Sequence, residues 1–374
     1  MTDIFSPTSL DQVTEIIRDY IVAEKSLDLR TGGSLISLGS KMNTGGTMSL
    51  SELDQIKLYE PEELVITLEP GVKLSELNKV LTEQKQELRF EPPDLGPLLG
   101  IEKGCGTIGG IIGNNLSGPK RFMAGAARDY VLGIEGVSGF GKVFKAGGRV
   151  VKNVTGYDVS KLMTGSYGTL GAITEMTLKL SPLAETEVTI AVNELSDVEA
   201  IILMAAIAGS PFEVSGLAHL PNKATYVRIE GANASIKERT DAVLSIIGKK
   251  STSLIEKEQS LALWQNIRDV EPLAPPRDIP LWKISAPATE MTQIITGHNP
   301  EFYYFDWAGS QLWMSSDQTP KINHGAFWLI RNTPDNKNSL PFMSKPDPVT
   351  EKLQARVKNA FDPRNILNPG RMGF

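Results

Sequence analysis

The sequence predicts an α+β fold, in which strands, helices and hairpins follow one another in mixed order without a regular βαβα alternation. Clusters of glycine beside Ser or Thr interrupt the first half of the chain at 32–33, 104–113 and 165–171. The second half shows the β-α-β-β-α order of a ferredoxin-like module over 187–248. The segment 181–184, Ser-Pro-Leu-Ala, indicates a domain boundary between the two halves.

The elements of the first half follow from hydrophobic spacing and turn residues. Ser9 is a favourable N-cap for a helix over 11–24, whose apolar side chains recur at helical spacing. The turn at 138–141, Ser-Gly-Phe-Gly, predicts a hairpin. Apolar runs ended by turn residues predict the other strands. The remaining predicted elements are strands at 27–30 and 64–71, a helix at 74–84, hairpin strands at 130–137 and 142–145, and a strand at 170–180.

The same patterns continue in the second half, which also holds all five tryptophans. Trp282 and Trp307 are expected in its core. Trp264 and Trp313 are expected at an interface, because tryptophan is enriched at binding hot spots. The predicted elements are strands at 187–192, 213–219, 225–230, 281–285, 302–307 and 311–315, and helices at 197–208, 235–248, 261–270 and 349–360.

The composition argues against several classes of function. A net charge of −6 over 374 residues, without a dense run of Lys or Arg, disfavours a nucleic-acid-binding surface. The single cysteine, Cys105, excludes a disulfide framework and a Cys-x-x-Cys metal or iron–sulfur site within the chain. No basic leader and no apolar run of roughly 18 residues is present. We therefore expect a cytoplasmic protein, whose contact with the inner membrane, if any, is made through partners.

The first glycine cluster matches the dinucleotide fingerprint of a Rossmann fold at Gly104-x-Gly106-x-x-Gly109. That fold needs a buried strand before the first glycine and a helix of ordinary length after the third. The residues before Gly104 are too polar for such a strand, and the following helix must stop at 114–118. Tight turns alone would be the simplest explanation of one cluster. Several glycine-rich loops with bare N–H groups instead suit a pyrophosphate attached to a flat ring system.

Five motifs together resemble a known family. They lie at 107–110, 114–118, 148–163, 165–175 and 365–371, the last reading Asn-Ile-Leu-Asn-Pro-Gly-Arg. They resemble the FAD-binding domain of the vanillyl-alcohol oxidase/p-cresol methylhydroxylase (PCMH) family, and more closely the FAD-binding E subunits of bacterial glycolate oxidase. The resemblance implies a two-subdomain PCMH-type FAD-binding domain followed by a ferredoxin-like α+β cap domain.

The resemblance also implies domain boundaries. The FAD-binding domain would occupy 1–183, and an α+β cap or assembly domain would occupy 184–345. A C-terminal helix and tail at 346–374 would return to the FAD domain.

The resemblance further implies how FAD is held. Arg30 to Ser34 would form one phosphate loop, Gly106 to Gly110 a second, and Gly168 to Ile173 the adenine end. Some family members attach the flavin to a His or Cys in these loops. Here the first loop has no His, and Cys105 is expected to be a small buried loop residue, so we expect non-covalent FAD. The implied cofactor-binding residues are Arg30, Thr31, Gly32, Gly33, Ser34, Gly106, Thr107, Gly109, Gly110, Asn114, Ser117, Gly118, Gly168, Thr169, Gly171 and Ile173.

Residues for catalysis are less evident. Oxidation of a 2-hydroxy acid by a flavin needs a base for the hydroxyl proton and a cation for the carboxylate. The three histidines are isolated in sequence, with no acidic or His neighbour at metal-ligand spacing, so no metal site is predicted. Tyr157, His324 and Arg371 are the weak candidates for catalytic roles.

The resemblance implies an FAD-binding subunit of a glycolate (D-2-hydroxy acid) oxidase or dehydrogenase complex. Such a subunit would support electron transfer and assembly, beside a separate catalytic flavin subunit and an iron–sulfur subunit. Two alternatives stay open. One is a self-sufficient FAD-dependent 2-hydroxy acid dehydrogenase that uses Tyr157 or His324. The other is a flavin-free scaffold subunit.

Overall fold

A computed structural model describes residues 3–148, 156–333 and 340–373. Contacts divide the chain into two compact units. Their bounds are Met1–Ser117, Ala126–Pro182 and Lys345–Phe374 for the first unit, and Gly118–Gly125 and Leu183–Ser344 for the second. These divisions lie beside the expected boundaries at 183 and 345. The assignment of Gly118–Gly125 to the second unit has no counterpart in the expectations from sequence.

The first half of the chain contains short strands and helices in mixed order, which confirms the α+β fold class. Its elements are β1 (Asp3–Phe5), α1 (Leu10–Val22), β2 (Leu27–Arg30), β3 (Gly46–Ser49), β4 (Ile56–Glu60), β5 (Val65–Leu68), α2 (Leu74–Glu83), β6 (Gln86–Glu87), α3 (Ile108–Asn114), α4 (Arg121–Ala124, in the second unit), β7 (Val131–Ser138), β8 (Val143–Gly147), α5 (Val159–Met163), β9 (Gly171–Lys179) and β10 (Ser181–Pro182).

Two main sheets organise the first unit. A parallel sheet has the strand order β1-β3-β2, and an antiparallel sheet has the order β4-β5-β9-β7-β8. The predicted hairpin is β7–β8. Ser9 caps α1, because its Oγ accepts a hydrogen bond from Gln12 N at 3.3 Å. Val13 and Ile17 of that helix pack with Met48 of β3 in the core.

The second unit is built on one antiparallel sheet of eight strands. Its elements are β11 (Thr186–Asn193), α6 (Asp197–Ala208), β12 (Gly216–Leu220), β13 (Ala224–Gly231), α7 (Asn233–Ile247), β14 (Thr252–Ile255), α8 (Lys257–Arg268), β15 (Leu281–Ser285), α9 (Ala288–His298), β16 (Tyr303–Asp306), β17 (Gln311–Ser315) and β18 (Ala326–Arg331). The strand order is β14-β11-β13-β12-β16-β17-β15-β18.

This order contains the ferredoxin-like arrangement twice. The first four strands follow the predicted module, and the second four repeat its order in reverse. A single pair, His219 on β12 opposite Phe305 on β16, joins the two halves. The sequence indicated only the first module, because α9 and β18 were not recognised there.

Side chains alternate across this sheet. Trp282 and Ile284 on β15 and Leu312 on β17 enter the core that includes residues of α6, α7 and α9. Lys283 and Trp313, one residue along each strand, therefore lie on the opposite face.

The tryptophan predictions are confirmed in part. Trp282 and Trp307 are buried, as expected. The interface prediction for Trp264 and Trp313 is wrong, since these side chains are only 2% and 5% exposed. Trp264 Nε1 donates to Thr189 Oγ1 at 2.7 Å, so its polar atom is satisfied inside the unit.

The last helix, α10 (Pro348–Phe361), and the residues after it belong to the first unit. Leu27 N donates to Ile366 O at 2.7 Å, and Asn368 N donates to Leu27 O at 3.0 Å. These bonds pair the start of β2 with residues from the far end of the chain. None of the described helices is long and apolar enough to cross a membrane.

Candidate functional site

The first unit contains an open cleft of about 800 Å³. Four segments form it: the end of β2 with the loop after it, α3, the start of β9 with the loop before it, and the C-terminal tail. The lining residues are Leu29, Arg30, Thr31, Gly33, Ser34, Leu35, Ile36, Leu50, Pro70, Thr107, Gly109, Gly110, Gly113, Asn114, Ser166, Tyr167, Gly168, Gly171, Ala172, Ile173, Asn368 and Arg371.

The loop after β2 offers unused backbone donors. Gly33 has φ +77°, a left-handed conformation that side chains rarely adopt. Within the described parts of the chain, the N–H groups of Gly33, Ser34 and Leu35 donate no hydrogen bond to protein. Successive free N–H groups beside a left-handed residue form a concave site for an anion. A phosphate group is the natural occupant of this part of the cleft.

The short helix α3 contributes differently from what the sequence indicated. Its first N–H groups are already satisfied: Ile108 N by Val72 O and Gly109 N by Pro70 O, both at 2.9 Å. Gly109 is required for packing, because a Cβ there would lie 2.6 Å from the Pro70 Cβ. The helix therefore lines the cleft with two of its first N–H groups already satisfied, and the N–H groups left free among the described residues of the cleft include those in the loop after β2.

The loop before β9 carries an unsatisfied hydroxyl. Among the described residues, Ser166 Oγ is buried and has no hydrogen-bond partner. A buried hydroxyl without a partner is unfavourable, so this atom in the cleft wall fits a polar ligand. Two left-handed residues follow, Tyr167 (φ +54°) and Gly168 (φ +70°). Burial raises the pKa of the Tyr167 phenol.

The C-terminal tail closes one side of the cleft. Leu29 N donates to Asn368 Oδ1 at 2.6 Å, and Asn368 Nδ2 donates to Tyr167 O at 2.7 Å. Arg371 Nη2 donates to Ile36 O at 2.6 Å. Burial lowers the pKa of the Arg371 guanidinium, and the carboxylate of Asp28 opposes that shift. The tail thus joins the segment that contains Leu29 and Ile36 to the loop that contains Tyr167.

Comparison with known proteins gives the family. Residues 3–147 match the FAD binding domain, and residues 339–372 match the C-terminal domain of FAD linked oxidases. The chain is 31% identical to the glycolate oxidase subunit GlcE of Escherichia coli (strain K12), over 98% of this chain and 97% of that protein. The chain belongs to the GlcE family. It is therefore an FAD-binding member of the FAD-linked oxidoreductases.

Other proteins match this GlcE-family chain over half of its length or more. It is 34% identical to the glycolate oxidase subunit GlcD of Bacillus subtilis (strain 168), over 50% of this chain and 38% of that protein. It is 26% identical to the mitochondrial D-lactate dehydrogenase [cytochrome] of Arabidopsis thaliana, over 98% of this chain and 72% of that protein. A solved alkyldihydroxyacetonephosphate synthase has the same fold, with a TM-score of 0.67 at 15% identity, over 98% of this chain and 75% of that one.

Most of the residues expected to bind FAD meet in the cleft of the GlcE-family chain. Those that line it are Arg30, Thr31, Gly33, Ser34, Thr107, Gly109, Gly110, Asn114, Gly168, Gly171 and Ile173. The sequence also failed to single out several lining residues. Of these, Gly113 continues the first glycine cluster, and Asn368 stands in the tail motif that carries the resemblance. Ser166 and Tyr167 lie inside the glycine cluster at 165–171, of which only Gly168, Thr169 and Gly171 were expected to bind FAD.

The other five expected ligands do not line the cleft. Gly32 allows two loops to touch, because a Cβ there would lie 2.6 Å from Thr107 Cγ2. Gly106 O accepts from Leu74 N. Ser117 Oγ accepts from Ala127 N at 2.9 Å. Their places in the structure are accounted for by packing and hydrogen bonds within the chain.

Gly118 and Thr169 complete this set. Gly118 belongs to the second unit, where its carbonyl accepts from Trp307 Nε1 at 2.9 Å. Thr169 Oγ1 donates to Ser166 O at 2.7 Å. Cys105 is half-buried, not buried as expected, and does not line the cleft.

The catalytic candidates are scattered. Tyr157 is 97% exposed and does not line the cleft. His324 belongs to the second unit, is 74% exposed and pairs with Glu290. Arg371 lines the cleft, in the wall formed by the tail. Within the described ranges, no group of three or more His, Cys, Asp or Glu could hold a metal ion. Residues 149–155, part of one motif that carries the resemblance, lie outside the described residues.

Proposed function

We propose that this chain is the non-covalent FAD-binding subunit of a complex that oxidises glycolate or another D-2-hydroxy acid. In this proposal it supports electron transfer and assembly, beside a separate catalytic flavin subunit and an iron–sulfur subunit. The observation that carries the proposal is the match to GlcE along nearly the whole of both chains. GlcE and GlcD are both named as subunits of glycolate oxidase, and the chain resembles the first over a far larger share of its length.

The cleft supports the FAD-binding part of the proposal. The N–H groups of Gly33, Ser34 and Leu35 would hold a phosphate of the cofactor, because they donate no hydrogen bond to any of the described residues. Ser166 Oγ would donate to a polar atom of the ligand. Arg371 would place a cation in the same wall. Bound FAD supplies a two-electron acceptor, and the residues of the cleft bind and orient it.

Non-covalent binding is supported by the residues of the cleft wall. Neither His nor Cys is among the described residues that line the cleft, and Cys105 lies in the loop before Thr107 without lining it. FAD should therefore leave the unfolded chain. Acid precipitation of the purified protein tests this, since free flavin in the supernatant is expected and flavin in the pellet would contradict it.

The positions of the catalytic candidates support a division between binding and catalysis. A general base must come within hydrogen-bond reach of the proton that it removes. Tyr157 is almost fully exposed, and the His324 imidazole is exposed beside a carboxylate. Neither is held in a wall of the cleft. Arg371 does line the cleft, and in this proposal it contacts the cofactor.

The decisive experiment is to purify the chain alone and together with its partners. The isolated chain is expected to be yellow and to reduce no dye with glycolate, whereas the complex is expected to do so. Robust turnover by the isolated chain would contradict the accessory role and favour the self-sufficient dehydrogenase. In that event, loss of turnover in His324→Ala would identify the base. A colourless chain that takes up no FAD would favour the flavin-free scaffold. Flavin and iron counts on the complex test the iron–sulfur partner.

A further inference from the structure

The second unit surrounds a lysine with three indole rings. Lys283 stands in the middle of β15, directly opposite Trp313 on β17 and Trp328 on β18. Its Nζ lies 5.9 Å and 5.7 Å from the centroids of these rings, and 4.9 Å from the ring of Trp307. We call these three residues the tryptophan cage. Strand register places Trp313 and Trp328 on either side of Lys283, so two of the three rings belong to the sheet itself.

The amine in this cage is not used by the fold. Lys283 is 7% exposed, yet its Nζ makes no hydrogen bond or ion pair with the described residues. A buried lysine normally pairs with a carboxylate or a carbonyl group. An apolar residue at this position would cost the sheet no hydrogen bond and no ion pair with the described residues. The placement therefore indicates a chemical role for the amine.

Burial and charge also make this amine reactive. Burial lowers the pKa of Lys283 from 10.5 to about 7, the cation of Arg121 adds to the shift, and the carboxylate of Asp306 opposes it. The indole faces attract the protonated form. Both protonation states are therefore present near neutral pH, and the neutral amine is the nucleophile that forms imines with carbonyl compounds.

A second cation lies beside the same ring. The guanidinium carbon of Arg121 is 4.4 Å from the Trp307 centroid, close to the 4.9 Å of Lys283 Nζ. Two cations at one ring, against the single carboxylate of Asp306, favour a carbonyl compound that carries negative charge. Three indole rings around the amine favour a small compound over a large one. A short 2-oxo acid or aldehyde acid combines these properties.

We propose that Lys283 reversibly binds a small 2-oxo acid or aldehyde acid as an imine. The neutral Nζ attacks the carbonyl carbon, a C–N bond forms, and the carbonyl oxygen leaves as water after taking up two protons, both of which come from the amine. Hydrolysis reverses the step, so no oxidant or reductant is needed. The choice of this carbonyl class rests on the proposed function, because oxidation of a 2-hydroxy acid gives a 2-oxo acid. The reactive amine does not depend on that function.

Reductive trapping on the wild-type chain tests the proposal. The protein is incubated with glyoxylate and cyanoborohydride, which reduces an imine to a stable secondary amine, and labelled lysines are mapped by peptide mass spectrometry. Lys249, an exposed lysine of the same unit, serves as the reference. Labelling of Lys283 is expected to be at least about tenfold faster at pH 7.5, because its neutral fraction is far larger. Labelling of Lys283 should level off above about pH 7.

Two variants separate the parts of the proposal. Lys283→Arg keeps the positive charge and should abolish the preferred label. Arg121→Gln should lower labelling by glyoxylate more than labelling by propionaldehyde, which has no carboxylate. Equal labelling of Lys283 and Lys249, or no label on Lys283 in the folded wild-type chain, would overturn the proposal. Trapping requires neither FAD nor partner subunits, so its failure and a failure of the proposed function are distinguishable.

Discussion

Replacing Gly33 should separate cofactor binding from folding. Gly33→Ala places a methyl group at a residue with φ +77°, where, chain neighbours apart, no atom of the described residues lies within 4 Å of the new Cβ. Gly104→Ala is the matched control, because Gly104 has φ +85° and equally open surroundings. Of these two glycines, Gly33 lines the cleft and Gly104 does not. The two variants therefore share their backbone strain and differ in whether the methyl group stands in the path of the cofactor.

The magnitudes follow from these geometries. An alanine in the left-handed region costs roughly 1–2 kcal/mol, so both variants should lose about that much free energy of unfolding without FAD. In Gly33→Ala the methyl group also displaces a phosphate from the N–H groups of Ser34 and Leu35, which we take to weaken binding by the equivalent of one hydrogen bond. A hydrogen bond to a charged group contributes about 1.5–3 kcal/mol. The Kd for FAD should therefore rise roughly tenfold to hundredfold in Gly33→Ala alone.

The assay uses apo-protein titrated with FAD, followed by the change in flavin fluorescence. Urea unfolding of the same apo samples measures the strain in each variant. An unchanged Kd in Gly33→Ala would refute the assignment of this loop to the phosphate. An equal rise in Gly104→Ala would show that strain, and not the cleft, controls the affinity.

Three further predictions concern other groups in the structure. Ser166→Ala should leave the stability of the apo-protein unchanged or raised and weaken FAD binding about tenfold, because the Ser166 hydroxyl has no partner among the described residues; Ser160→Ala is the control, since that hydroxyl already bonds to Ala146 O. Asn368→Ala should lower the free energy of unfolding by roughly 2–4 kcal/mol and weaken FAD binding, because its side chain bonds to Leu29 N and Tyr167 O. Asn365 has the same left-handed backbone, but its side chain makes no hydrogen bond among the described residues, so Asn365→Ala should lower the free energy of unfolding by less. The pKa of Lys283 is about 7 in the folded chain and 10.5 as its ordinary value, so between these pH values the unfolded chain binds one more proton than the folded chain. The free energy of unfolding therefore rises with pH in this range, and urea unfolding should show it rising by about 2 kcal/mol more in wild type than in Lys283→Met from pH 7 to 9.

Local patterns predicted much of the fold. The strand at 27–30 and the helix at 197–208 have the predicted bounds, because turn residues, caps and apolar spacing act over a few neighbours. The second ferredoxin-like half was not recognised. Its helix α9 buries only Met291 and Ile294 and so shows a weak apolar stripe. The junction of β12 with β16 depends on pairing between distant strands, which no local pattern encodes.

The sequence pointed to residues of the cleft at positions where a left-handed backbone requires glycine. Gly33 and Gly168 are left-handed and line the cleft, so glycine clusters marked both loops. The phosphate-binding role of Gly106 to Gly110 stays a prediction: Gly109 and Gly110 line the cleft, but Ile108 N and Gly109 N already donate to Val72 O and Pro70 O, contacts that no local pattern encodes. The orphaned hydroxyl of Ser166 could not be foreseen, because its lack of a partner is a property of the folded chain.

The C-terminal tail makes FAD binding and the folding of the first unit interdependent. The FAD binding domain match ends at residue 147, yet Asn368 and Arg371 complete the cleft wall. Lys358 Nζ reinforces this connection, since it donates to Thr169 O at 2.7 Å and to Leu367 O at 2.9 Å. A ligand that binds only the assembled cleft stabilises every contact on which the cleft depends. FAD should therefore hold the tail against the loops, and loosening of the tail should release FAD.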